Sequence, residues 1–250
     1  MSDVGGLVGA LVVAAGQAGC VPLDIAANVA TAARLVRRAA ARGVDIVVLP
    51  ELFLTGYELP DIVGDPRRNA LDFDDSRLEP LAQACAETRT AVVAGRPTRD
   101  GSAVHISVLV LGRDGRPAAR YDKEHVTAKE QAAGITPGTE RRTFELDGWR
   151  LGLAICADAS HPAHAAAAKA DGCDAYLVSG LFDQGDGLDR PHTIAARRAE
   201  DNALHVVLAD HSGPTGPYRG CGHSSVWHPD GTLLAATRDD PGIAVAKVTS

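Results

Sequence analysis

The sequence predicts a layered α/β domain with a mixed β-sheet. Segments with helical periodicity alternate with short, continuously apolar runs, which are typical of strands buried on both faces. Pairs of strand-like runs joined by Asp-Gly turns add antiparallel hairpins. The 250 residues contain no linker or internal repeat, so we predict one domain over residues 1–250. Two sheets between helix layers would use all the predicted strands, but the pattern alone does not establish that layering.

The first half of the chain alternates between strands and helices. Residues 7–15 form an apolar run that predicts a strand. Asp24 can cap a helix whose apolar face recurs every three to four residues up to Arg42, and Gly43 can end it. Residues 44–49 predict a strand buried on both faces. The next predicted elements are a helix over 78–89, a strand over 90–95, and a hairpin of 105–111 with 117–121.

The second half begins with another hairpin, formed by residues 142–146 and 149–155 around the Asp147-Gly148 turn. Residues 213–222 contain two prolines and predict a mobile loop that could border a pocket. The other predicted elements are a helix over 162–171, a strand over 174–179, a helix over 191–202, a strand over 205–209 and a β-rich tail over 224–249.

The composition argues against two classes of partner. A formal net charge of −7 disfavours a broad nucleic-acid-binding surface, which needs clustered Lys and Arg. No apolar stretch reaches membrane-spanning length. The apolar start, residues 5–16, lacks the positively charged region of a signal peptide, since Asp3 is the only charge before it. We interpret that start as a buried strand and expect neither a nucleic-acid nor a membrane partner.

The cysteines indicate a reducing compartment. They are odd in number and scattered, and their spacing fits neither a disulfide framework nor a zinc site: Cys20, Cys85, Cys156, Cys173 and Cys221. A cytoplasmic location is therefore expected.

Three reactive side chains stand at the ends of predicted strands: Glu51, Lys123 and Cys156. Each has an ordinary explanation on its own, as a loop carboxylate, a solvated surface amine and a buried core thiol. Together they supply a nucleophile, a base and a positive charge for an oxyanion, without a metal. A thiol at such a strand end can lie in an electropositive pocket that favours the thiolate. A carboxylate close to an ammonium group should stay ionised.

Three segments carry a family resemblance. Residues 49–57 (Leu-Pro-Glu-Leu-Phe-Leu-Thr-Gly-Tyr), 121–125 (Tyr-Asp-Lys-Glu-His) with Glu130, and 152–158 (Gly-Leu-Ala-Ile-Cys-Ala-Asp) resemble, in order and spacing, the glutamate, lysine and cysteine motifs of the nitrilase superfamily of carbon–nitrogen hydrolases. Gln17, Asn28 and residues 197–202 fit the flanking segments, so the resemblance spans nearly the whole chain.

The resemblance implies a four-layer αββα sandwich with two mixed β-sheets between helix layers. It implies that Glu51 is the general base, Cys156 the nucleophile and Lys123 the oxyanion stabiliser. The backbone N–H of Ala157 would be a second oxyanion donor, and Glu130 would orient the lysine and the substrate. We assign substrate contact to Tyr57 as well as to Ala157. No metal and no organic cofactor are implied.

The sequence also departs from the family pattern. Ala157-Asp158 follows the nucleophile where nitrile-cleaving members have Trp-Glu, which disfavours nitrile hydrolysis. Asp210 stands where asparagine is usual, and no arginine lies near residues 161–164. His161 and His164 are a weak metal pair, because a spacing of three residues without other clustered ligands is poor evidence, and we expect surface roles for them.

The leading functional prediction is an amidase that cleaves a non-peptide C–N bond of a small amide. An N-carbamoyl amine hydrolase and an amide-forming acyltransferase would share the same triad, and a catalytically silent dimeric binding protein would share the fold. Labelling by iodoacetamide at neutral pH separates the silent protein from the enzymes, because an inert Cys156 would favour the silent protein.

A homodimer, or a larger homo-oligomer, is expected because the family pairs its sandwiches through helices, and the helices here are rich in small alanines that allow close approach. Light scattering at micromolar concentration should give a mass of at least about twice 25.9 kDa. A mass of 25.9 kDa would contradict this prediction.

Overall fold

Two six-stranded β-sheets form the centre of the protein, whose computed structural model describes residues 9–249. The first sheet contains, in spatial order, β14 (Gly242–Val248), β1 (Leu11–Gln17), β2 (Ile46–Val48), β3 (Ala91–Asp100), β4 (Ala103–Leu111) and β5 (Pro117–Asp122). Strands β1, β2 and β3 are parallel, and the other pairs are antiparallel. The sheet is therefore mixed, as the sequence predicts.

The second sheet has a matching arrangement. Its spatial order is β13 (Leu233–Ala236), β12 (Ser225–Trp227), β9 (His205–Ala209), β8 (Ala175–Ser179), β7 (Trp149–Ile155) and β6 (Thr143–Leu146). Strands β7, β8 and β9 are parallel, and the outer pairs are antiparallel.

Four helices cover the outer faces of the sheets. α1 (Ile25–Ala40) and α4 (Glu79–Thr88) pack on the first sheet, and α7 (Pro162–Ala170) and α8 (Arg190–Asn202) pack on the second. The remaining helical segments are short: α2 (Leu59–Gly64), α3 (Pro66–Asn69), α5 (Ala128–Ala132), α6 (Ala157–Ser160) and two 3₁₀ turns at Ser76–Leu78 and Gln184–Asp186. No helix within residues 9–249 combines the length and apolarity needed to cross a bilayer.

The apolar core forms three layers, which gives the αββα order. In β2, Ile46 and Val48 face the second sheet, whereas Val47 faces α1 and α4, because successive side chains of a strand point to opposite faces. The continuous apolar run that predicted this strand is thus explained by burial on both faces. The four-layer sandwich is confirmed.

Local signals define the ends of α1. The Asp24 side chain accepts the N–H of Ala27 at 3.0 Å, as its capping role requires. Gly43 follows the helix with φ +72°, a conformation that favours glycine.

Some elements differ from the sequence prediction. The predicted loop 213–222 is largely a hairpin of β10 (Ser212–Thr215) and β11 (Tyr218–Cys221). α2, α3 and α5 were not predicted, because helices of four to six residues are too short to display a period. β3 continues past Gly95 because it pairs with β4 as far as Asp100. The first strand is described from Leu11, so residues 7 and 8 of its predicted range lie outside the described residues.

Candidate active site

The three predicted reactive side chains meet at one edge of the sandwich. Glu51 follows β2, Lys123 directly follows β5, and Cys156 directly follows β7. Glu51 and Lys123 are each 1% exposed, and the Lys123 Nζ lies 2.7 Å from the Glu51 Oε1. The ordinary explanation of Lys123 as a solvated surface amine is therefore excluded. A lysine buried this deeply requires the carboxylate partners that it has.

A strained turn presents the candidate nucleophile. Cys156 has φ +43° and ψ −97°, in the region that side-chain-bearing residues rarely adopt. Its N–H donates to the Ser179 carbonyl at 2.9 Å, and its Sγ lies 3.2 Å from the Leu181 carbonyl. Ala157 is the first residue of α6, so its N–H has no partner inside the helix. The turn therefore places a thiol and a backbone donor next to each other.

Burial sets the protonation of Glu51. Desolvation raises its pKa to about 7, although the charge of Lys123 opposes the shift and that of Glu130 adds to it. Contrary to the expectation, the lysine therefore does not keep this carboxylate fully ionised at neutral pH, because burial outweighs the effect of its charge. The Glu51 Oε2 has no hydrogen-bond partner among the described residues, and the Cys156 thiol is close enough to influence the carboxyl pKa. One carboxylate oxygen is thus available to accept a proton.

The thiol is protonated at rest. Burial and the negative charge of Glu51 raise the pKa of Cys156 far above its ordinary value, and Lys123 only partly opposes them. The expected electropositive pocket is wrong in this respect, because burial and the charge of Glu51 outweigh the effect of the lysine on the pKa of the thiol. Burial alone would lower the pKa of Lys123, but the negative charges of Glu51 and Glu130 raise it, so the lysine stays cationic.

Glu130 orients the lysine from a second side. Its Oε1 lies 2.6 Å from the Lys123 Nζ and also accepts the Tyr57 hydroxyl. Its Oε2 accepts the Thr127 N–H at 2.7 Å, which completes the capping box of α5. The short helix therefore fixes the rotamer of Glu130. Burial raises the pKa of Tyr57, which keeps its hydroxyl protonated as a donor.

A cavity of about 320 Å³ opens above these groups. Its lining combines three of the candidate catalytic residues, not including Lys123, with residues from other parts of the chain: Glu51, Tyr57, Thr127, Glu130, Cys156, Ala157, Ser160, His161, Leu181, Phe182, Asp183, Asp186, Arg190 and Tyr218. Sequence reasoning did not identify the wall formed by Leu181, Phe182 and Tyr218, although it placed the segment containing Tyr218 at a pocket border.

Comparisons with known proteins identify the family. A family model described as carbon-nitrogen hydrolase matches residues 12–250. The chain belongs to the carbon–nitrogen hydrolase family. A Pseudomonas protegens hydrolase is 30% identical over 228 residues, which cover 90% of this chain and 78% of that protein. The omega-amidase of Homo sapiens is 27% identical over 234 residues, which cover 88% and 82%.

Solved structures give the same result for this carbon–nitrogen hydrolase. The amidase from Nesterenkonia sp. superimposes with a TM-score of 0.88 at 26% identity, and the match covers 98% of this chain and 92% of that one. A mutant of the Nesterenkonia sp. AN1 amidase shows covalent addition of the acetamide moiety of fluoroacetamide at its active site cysteine.

In this carbon–nitrogen hydrolase, Asp158 connects the lysine segment to the cysteine turn. Its Oδ2 accepts the Tyr121 hydroxyl at 2.7 Å and the Ile155 N–H at 2.9 Å. Its Oδ1 accepts the N–H of His125 at 2.8 Å and lies 2.9 Å from the His125 Nδ1. These bonds attach Tyr121 and His125, which flank Lys123 in the chain, to the end of β7, which Cys156 follows directly. Asp158 was part of the recognised motif, but only the structure shows this role.

The expected surface role of His164 is wrong, because the ring is buried between Tyr121 and Tyr176. Glu124, His125 and His164 place potential metal-ligating atoms within 4.8 Å of one another. Both His164 nitrogens lie within hydrogen-bond distance of tyrosine hydroxyls, so a metal would have to displace one of those contacts. His161 is exposed, as expected, and lines the cavity.

Proposed function

We propose that the protein hydrolyses a small, non-peptide amide through a thioester on Cys156. The observation that carries the proposal is a half-buried Cys156 thiol that lines a cavity of about 320 Å³ together with Glu51. The Glu51 Oε1 lies 2.7 Å from the Lys123 ammonium, and its Oε2 has no hydrogen-bond partner among the described residues. The omega-amidase and amidase relatives support an amide rather than another C–N substrate.

Acylation begins when the Glu51 carboxylate takes the thiol proton as the Cys156 sulfur attacks the amide carbonyl carbon. Because the resting thiol is protonated, a base is needed at this moment. The carbonyl oxygen becomes an oxyanion, which the Lys123 ammonium and the Ala157 N–H stabilise. As the C–N bond breaks, the Glu51 carboxyl group donates its proton to the departing nitrogen, which leaves as ammonia or an amine.

Deacylation uses the same groups in reverse. Glu51, again ionised, takes a proton from water, and the water oxygen attacks the thioester carbonyl. The second oxyanion collapses, the C–S bond breaks, and the sulfur recovers the proton from Glu51. The product is a carboxylic acid, and the enzyme returns to its starting protonation state. A base whose pKa is about 7 suits both directions of transfer at neutral pH.

The test is a panel of small amides, N-carbamoyl compounds and nitriles, read by ammonia release and by identification of the acid. We expect turnover of amides and none of nitriles. An amide-forming activity would appear as product formation with added amines or hydroxylamine. Cleavage of N-carbamoyl compounds alone would overturn the amidase proposal, and no cleavage together with an inert Cys156 would favour a silent binding protein.

The raised pKa of Glu51 predicts a pH dependence. Because the ionised carboxylate is the base, kcat/KM should fall about tenfold for each pH unit below about 7, as the carboxylate gains its proton. Initial rates in buffers from pH 4.5 to 8 measure this fall, which is the acid limb of the pH–rate profile. A rate that stays constant down to pH 5 would contradict the assignment of Glu51 as the base.

We also propose that the enzyme is a homodimer that works in a reducing cytoplasm. The family resemblance supports the first point. The second is supported by the need for a free thiol at Cys156, since an oxidised sulfur cannot attack a carbonyl.

A further inference from the structure

Asp210 is a buried carboxyl group directly after β9. It is 0% exposed, and its Oδ1 accepts the N–H groups of Phe182 and His211, each at 2.9 Å. Its Oδ2 has no hydrogen-bond partner among the described residues. No Lys or Arg side chain within residues 9–249 forms an ion pair with either oxygen. The protein therefore supplies hydrogen-bond donors to one oxygen of Asp210, but the described residues supply no cation that would balance a negative charge on this carboxyl group.

The two donors to Asp210 support the candidate catalytic groups. Phe182 follows Leu181, whose carbonyl lies 3.2 Å from the Cys156 Sγ. The His211 Nε2 lies 2.5 Å from the Glu51 carbonyl oxygen and can donate to it. Asp210 thus joins the segment that contacts the nucleophile to the ring that contacts the backbone of the base.

The titratable groups facing Asp210 do not offset a negative charge. Burial lowers the pKa of His211 to about 4, so this ring is neutral. Burial raises the pKa of Cys221 to about 12, so its thiol is neutral too. Glu51 is anionic when it acts as the base. An isolated carboxylate in such surroundings is costly, and protonation is the usual outcome.

We propose that Asp210 is a positioning residue that works as a neutral carboxylic acid, and that its ionisation at alkaline pH disables the site. This inference rests on the proposed function for its effect on turnover. An anionic Asp210 repels the Glu51 carboxylate and draws its Oδ2 toward water or a donor. Either change displaces the contacts of Phe182 and His211, and with them the alignment of Glu51 and Cys156.

The stability of the fold should also depend on the ionisation of Asp210 and should therefore change with pH. Burial, followed by the charge of Glu51, raises the pKa of Asp210 well above its ordinary value, although backbone donors partly oppose the shift. The unfolded chain releases this proton near pH 4, whereas the folded chain keeps it to higher pH. The stability contribution of Asp210 is therefore fully present below about pH 4 and is lost as the pH rises toward the folded pKa.

The test compares Asp210→Asn, which has the same shape but cannot ionise, with the wild type and with Asp74→Asn. The last variant makes the same Asp-to-Asn substitution at an exposed residue. We expect Asp210→Asn to raise Tm at pH 8.5 by roughly 4 °C or more and to change it by about 1 °C at pH 4. The alkaline fall in kcat should shift to higher pH or disappear, while the acid limb near pH 7 remains. An equal change of Tm at both pH values, or an unchanged alkaline fall, would overturn the proposal.

A second measurement needs no variant that might fail to fold. In the wild-type protein labelled with ¹³C at Asp carboxyl carbons, the Asp210 resonance should show no ionisation shift near pH 4, whereas exposed aspartates should titrate there. Titration of Asp210 near pH 4 would overturn the proposal. If no substrate is found, the proposed function fails, but the resonance and the Tm still decide whether Asp210 is neutral. The rate of iodoacetamide labelling of Cys156, measured against pH in the wild type and in Asp210→Asn, then reports whether ionisation of Asp210 alters the surroundings of the Cys156 thiol.

Discussion

Replacing Cys156 with alanine should abolish amide turnover while the protein stays folded. The substitution removes the atom that forms the thioester, and no other thiol lines the cavity within the described residues. Loss of a nucleophile typically lowers kcat by several orders of magnitude, so we expect a loss of at least about 10³-fold. The side chain shrinks by one atom, which alters packing little. Ammonia release measures turnover, and circular dichroism measures the thermal transition.

Cys173→Ala is the matched control for this prediction. Cys173 is buried in the core between the second sheet and its helices, and it does not line the cavity. The control should keep substantial activity, with a moderate loss of stability from the space that it leaves. Full activity in Cys156→Ala, or equal loss in both variants, would contradict the role of Cys156 as the nucleophile.

Lys123→Met should remove most of the activity even though the side chains are similar in size. Methionine has no charge for the oxyanion, and loss of one oxyanion donor typically lowers kcat by about 10²–10³-fold. It also leaves Glu51 and Glu130 facing each other without the cation that lies 2.7 and 2.6 Å from them. Lys123→Arg should fail as well, because a planar guanidinium cannot occupy the site of a compact ammonium. Steady-state kcat and KM measure both effects.

A double variant distinguishes two effects of losing Lys123: the missing cation at the oxyanion and the loss of stability from unpaired carboxylates. In Lys123→Met combined with Glu130→Gln, one of the two unpaired carboxylates is neutral, so much of the lost stability should return. Activity should stay low, since the oxyanion still lacks its cation. Recovery of activity together with stability would show that Lys123 is structural rather than catalytic.

Glu51→Gln tests the other member of this pair. The amide keeps the shape of the side chain but cannot take the thiol proton, so no burst of ammonia should appear in a single turnover. If acylation does not need Glu51 as a base but deacylation does, acylation would continue and a thioester on Cys156 would accumulate, visible by intact mass. A thioester formed at a near wild-type rate would refute the mechanism. A loss of less than about tenfold in both Glu51→Gln and Lys123→Met would refute the site itself.

The order of strands and helices could be predicted from the sequence because local patterns encode it. The strand β2 was apparent from its apolar run, and the capped helix α1 from Asp24 and Gly43. The hairpin β10–β11 was missed because its prolines and glycines dominate the pattern, while its pairing depends on contacts across the hairpin. Residues that match ordered family motifs could likewise be recognised one by one.

The α/β class, the family and the three residues that bear the candidate chemistry are therefore recognisable from local patterns and motifs. How those residues behave depends on the packed structure. The pKa of Glu51 rises to about 7, and the Cys156 thiol is protonated rather than ionised, because water is excluded and charges from distant segments meet. Asp158 and Asp210 acquire their contacts in the same way, from strands far apart in the chain. Periodicity is a local property, whereas desolvation and charge coupling depend on which segments the packed sheets bring together.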